Sequence, residues 1–74
     1  MQKDTKSALE DFQQVVTQFP KSAKVPDAEY KIALIFLHQG KNDLASAKFK
    51  DLQQNFPNST AAQLASIRLQ QMQS

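Results

Sequence analysis

Six residues of this chain recur at one fixed interval. Ala8, Phe12, Phe19, Pro20, Ser22 and Ala28 return 37 positions later as Ala45, Phe49, Phe56, Pro57, Ser59 and Ala65. Conservative pairs at the same offset extend the match: Val15 with Leu52, Lys31 with Arg68, and Ile32 with Leu69. A period of this size marks stacked supersecondary units, each with an apolar face that it cannot bury alone and so packs against its neighbour. Function in such a chain follows from an extended concave surface and seldom from chemistry.

The units are helical. Ala8, Leu9, Phe12, Val15, Val16 and Phe19 share one side of a helix expected over about 4–18. Pro20 ends it, because the residue before a proline leaves the helical region and proline lacks an amide hydrogen. A second helix is expected over about 25–39, with Ser22 as a candidate cap and Pro26 tolerable only in the first turn. Gly40 is the natural left-handed terminator, and Asn42 is a candidate cap for a third helix over about 42–55. Pro57 stops that helix, and Ser59 is the expected cap of a fourth over about 59–72, with Ala62, Ala65, Leu69 and Met72 at core spacing. No alternation of the strand type is present, so the fold class is all-α, four antiparallel helices in a helix-turn-helix solenoid.

Composition narrows the function classes. A chain of 74 residues has room for one small domain, which buries only about 60% of the surface its unfolded form exposes. With no cysteine there is neither a disulfide nor a thiolate metal site, and the compartment is left open. The longest apolar run, Ile32 to Leu37, is far shorter than a membrane span, and no charged-then-apolar leader opens the sequence. The formal charge is +2, but Lys3, Lys6, Lys21, Lys24, Lys31, Lys41, Lys48, Lys50 and Arg68 are spread among seven acids instead of forming a basic stripe. A nucleic-acid or anionic-surface binder is therefore a minor alternative, and its signature is binding that weakens steeply with salt.

Catalytic signals are weak. His38 is the only histidine and has no cysteine or second histidine with which to build a metal site. Glu10 and Asp11 are adjacent on a helix and diverge by about 100°, which does not set two carboxylates across one bond. The serines lack a readable histidine and acid partnership, and one glycine makes no phosphate loop. The chain is expected not to be an enzyme and to need no cofactor or metal.

Ala33, Phe36, Gly40, Ala45, Phe49, Leu52 and Pro57 resemble the tetratricopeptide signature of small residue, aromatic, turn glycine, small residue, aromatic, apolar residue and terminal proline. Glu29 departs from it, standing where a large aromatic is usual, and the 37-residue period exceeds the common 34. The longer connection, Phe19-Pro20-Lys21-Ser22 to Val25-Pro26-Asp27-Ala28, is repeated in part by Phe56-Pro57-Asn58-Ser59. With the closing Ala61-Ala62-x-Leu64-Ala65-x-x-Arg68-Leu69 pattern, it resembles the C-terminal domains of periplasmic Tol-Pal-system tetratricopeptide proteins over about Asp4 to Met72. That resemblance implies a periplasmic module of Gram-negative cell division. Its partners would be TolA and, more loosely, a peptidoglycan synthase, and its longer parent would form a homotrimer through a coiled coil not in this sequence. The chain enters a repeat at its second helix, so a domain excised from that parent is expected.

The surface left for a partner lies on helix 2. Ala28, Tyr30, Ile32, Ala33, Leu34, Ile35, Phe36 and Leu37 are too many apolar groups for one stripe. If Ala33 and Phe36 face helix 3 while Ile32 and Ile35 face helix 1, then Tyr30, Leu34 and Leu37 lie along the remaining side. The resemblance makes that side the concave groove, with His38 at its edge and Ile67, the repeat equivalent of Tyr30, extending it. Alternatively these residues are core, covered by a preceding repeat helix or by a second copy of the chain. Leu34 stands where a carboxylate-clamp groove carries Asn, which favours an apolar or amphipathic segment as the occupant. A generic scaffold or homo-oligomerisation module is the other reading.

Overall fold

The computed structural model describes residues 5–73. Four helices of 14 residues each follow one another: α1 (Thr5–Gln18), α2 (Val25–His38), α3 (Asn42–Asn55) and α4 (Thr60–Gln73). The all-α solenoid expected from the repeat is the architecture observed; the proposed start of the first helix at Asp4 lies outside the described residues.

Each boundary has a local cause. After α2 the backbone turns left-handed at Gly40, with φ of 79°. The Lys41 amide donates to the Phe36 carbonyl at 2.8 Å and the Gly40 amide to the Leu37 carbonyl at 3.0 Å. These are the two bonds of a Schellman turn, which a glycine enters without the steric penalty of a β-carbon. At the start of α4 the Ser59 hydroxyl oxygen accepts the Ala62 amide at 3.0 Å while its own hydrogen goes to the Phe56 carbonyl at 2.8 Å. One side chain thus closes α3 and opens α4.

Two expected caps are corrected. Ser22 does not cap α2: Lys24 occupies that position without a side-chain cap, and the Ser22 hydroxyl accepts the Lys24 amide at 3.1 Å, bracing the preceding turn instead. Asn42 is the first helical residue of α3, and Lys41 holds the cap position, again without a side-chain bond. The Schellman turn explains the shift, since it ends at Lys41 and leaves that residue alone between Gly40 and the first residue of α3.

The helices stack in repeat order. Close backbone approaches join α1 to α2, α2 to α3, α3 to α4, and α2 to α4. At the centre, Ala33, Ala45, Phe49, Leu52 and Ala65 are all inaccessible to solvent. Ala33 from α2, Ala45 from α3 and Ala65 from α4 let the helix axes approach, and Phe49 with Leu52 fills the space between them. Phe36, Phe56, Leu69 and Met72 close the edges of this cluster. On the other flank of α2, Val25 and Ile32 are also fully buried, and the Lys31 ammonium sits 5.5 Å from the centroid of the Phe12 ring of α1. α2 is therefore the central helix, sandwiched by α1 and α3.

Glu29 is buried to 7% exposure although it replaces an expected aromatic. It is neutralised across the α2–α3 contact by the Lys48 ammonium at 3.6 Å. A buried carboxylate without such a partner would be strongly unfavourable, and the pair makes the substitution tolerable.

Candidate protein-binding face

α2 and α4 lie side by side, and their first halves enclose a cleft of about 240 Å³. Pro26, Asp27 and Tyr30 line it from α2, and Thr60, Ala61 and Leu64 from α4. Pro26 is held in the first turn of α2, where its missing amide hydrogen costs no intrahelical bond. On the other wall, the Ser59 cap fixes where α4 begins and hence where Leu64 stands.

Tyr30 is the hinge of this surface. Its ring packs 5.8 Å from that of Phe49 at an interplanar angle of 49°, the tilted arrangement that aromatic pairs favour. Its hydroxyl accepts a hydrogen bond from Arg68 Nε of α4 at 3.2 Å. One face of the tyrosine thus belongs to the core, while its edge belongs to the cleft. Leu34 and Leu37 are half-buried and pack against the central cluster. His38, the last residue of α2, is exposed. Ile67 is 52% exposed on α4, and Leu64 is 41% exposed. Of the residues expected to form the groove, the structure therefore brings only Tyr30 to the cleft; Leu34 and Leu37 pack against the core, and His38 and Ile67 are exposed outside the cleft's lining.

Leu64 and Arg68 are the residues missed by sequence reasoning. The signal was available, because Leu64 is the 37-residue equivalent of Asp27 and Arg68 that of Lys31. Two successive helices of one register present the same face side by side. Asp27 and Lys31 pair at 3.4 Å across one turn of α2, both well exposed, so the pair contributes little to stability; of the two, only Asp27 lines the cleft. Among the described residues, no group of three or more His, Asp and Glu is placed to hold a metal ion. No described helix is long and apolar enough to cross a membrane.

The sequence model of the family described as Tetratricopeptide repeat matches residues 1–22 and 27–59, well over half of the chain. The chain belongs to the tetratricopeptide repeat family. Its second matched stretch runs from the first turn of α2 through the Schellman turn to the end of α3. The first stretch covers α1, and α4 lies beyond both. No curated protein matches the chain. Tetratricopeptide repeats are in general protein-binding scaffolds, and the α2–α4 face is the surface on which two successive first helices of this stack align.

Proposed function

We propose that this chain is a noncatalytic protein-binding module that holds an apolar or amphipathic segment along the α2–α4 face. The observation that carries the reading is the cleft between the two helices, lined by Tyr30 and the exposed Leu64, with Ile67 exposed one turn further along α4. Apolar groups beside a concavity have the make-up of an interaction site. No cofactor or metal is required for that role.

For the partner we propose TolA, with a peptidoglycan synthase as a looser associate, in the periplasm during envelope constriction. This finer reading rests on the likeness of the Phe-Pro-x-Ser connections and of the closing Ala-Ala-x-Leu-Ala pattern to Tol-Pal-system tetratricopeptide domains. The test is titration calorimetry against TolA with the wild type and with Ile67→Glu and Leu64→Glu. Both side chains are exposed, so helix content stays unchanged while affinity falls by about ten-fold or more. Undiminished affinity in both variants contradicts the face, and absence of wild-type binding contradicts the partner. Leu34→Glu is a poorer probe, because Leu34 packs against the core and its loss acts on stability as well.

A further inference from the structure

α1 is held differently from the other three helices. Among the described residues it adjoins α2 alone, whereas α2, α3 and α4 all touch one another. None of residues 6–18 is fully buried; Ala8, Leu9, Phe12, Val15 and Val16 are half-buried. The central cluster of Ala33, Ala45, Phe49, Leu52 and Ala65 takes no residue from α1, and neither does the ring of half-buried side chains packed around it. Loss of α1 therefore leaves that core intact. A helix of 14 residues without tertiary cover is marginal in water, so undocking of α1 is also its melting. Such a segment opens as a unit at less cost than the whole domain.

The consequence reaches the cleft. A relay of backbone bonds carries the last turn of α1 into the first turn of α2: the Phe19 amide donates to the Val15 carbonyl at 3.0 Å, the Ser22 amide to the Phe19 carbonyl at 3.0 Å, and the Val25 amide to the Ser22 carbonyl at 3.1 Å. Val25 is only 2% exposed yet lies outside the central cluster, on the flank of α2 that α1 covers. Ala23, within the relay, and Pro26, next to Val25, both line the cleft. The opposite wall, Thr60, Ala61 and Leu64, is set by the Ser59 cap, far from α1 in the order of packing.

We infer that α1 is a releasable strap: it opens from α2 as a unit while α2, α3 and α4 stay folded, and its opening unties Ala23, Val25 and Pro26, so that the full cleft is present only while α1 is docked. The strap thereby regulates the site. That regulatory meaning rests on the cleft being the binding face, whereas the opening does not and is measured on the chain alone.

The experiment is native-state amide hydrogen exchange of the chain, read by NMR over a series of urea concentrations below the unfolding transition. The amides of Phe12, Val15, Phe19 and Val25 form one group with a common opening, and their protection is about ten-fold or more below that of Phe49 and Leu52. Two variants separate this opening from global unfolding. Ser59→Ala weakens only the part that stays folded, so it speeds exchange at Phe49 and Leu52 about five-fold and leaves the α1 group unchanged. Phe12→Leu is felt only while α1 is docked, so it speeds both groups by the same factor. One common opening for all these amides, equal acceleration of both groups by Ser59→Ala, or a Val25 amide that stays with Phe49 while α1 opens overturns the proposal.

Discussion

Single residues set where this chain turns. Gly40 has no heavy atom within 4 Å of an added β-carbon, so its requirement is purely conformational: φ is 79°. Gly40→Ala is expected to cost about 1 kcal/mol through the left-handed penalty alone, read as a lower midpoint in urea with an unchanged slope. Ser59→Ala removes both the cap of α4 and the bond to Phe56. Its expected cost is also about 1 kcal/mol, or a fall in Tm of about 4–8 °C for a domain of this size. Ser22→Ala, by contrast, deletes only one exposed turn bond and is expected to leave Tm nearly unchanged. Both Gly40 and Ser59 were legible in the sequence, because each acts within a few residues of itself, Gly40 through its own backbone and Ser59 through its hydroxyl on neighbouring main-chain groups. Ser22 and Asn42 were not, since choosing among neighbouring candidate caps depends on how tightly the preceding turn closes.

At the scale of elements, the four helices were readable because Pro20, Gly40 and Pro57 punctuate a continuous helical pattern. Their mutual contacts were readable only where the repeat repeats. The burial of Glu29 beside Lys48 and the bond from Arg68 to Tyr30 join residues distant in sequence through side-chain approach, which periodicity does not encode. The Glu29–Lys48 pair provides a prediction at this scale. Lys48→Ala leaves a buried carboxylate unpaired and is expected to destabilise by about 1–3 kcal/mol. The double change Glu29→Leu with Lys48→Met is expected to be neutral or stabilising, because apolar groups of similar volume avoid the desolvation of both charges. A urea double-mutant cycle measures the coupling. Additive effects would show that the pair makes no contribution of its own.

The whole molecule is a short stack, with extents of 33 × 28 × 18 Å, whose helices α2 and α4 present one face side by side. That geometry explains why the face was only partly legible. The repeat register led from Tyr30 to Ile67, but the cleft is lined by Leu64 and by a tyrosine that also serves the core, and both facts follow from how closely the two helices pack. Binding on this face is the central claim, and a two-dimensional amide NMR titration of the chain with TolA tests it most directly. The account predicts that the largest shift changes fall on Tyr30, Leu64, Ile67 and Arg68, with the outer residues of α3 such as Lys50 and Gln54 unmoved. Changes confined to α1 or to the outer side of α3, or a spectrum that does not change at all, would contradict it.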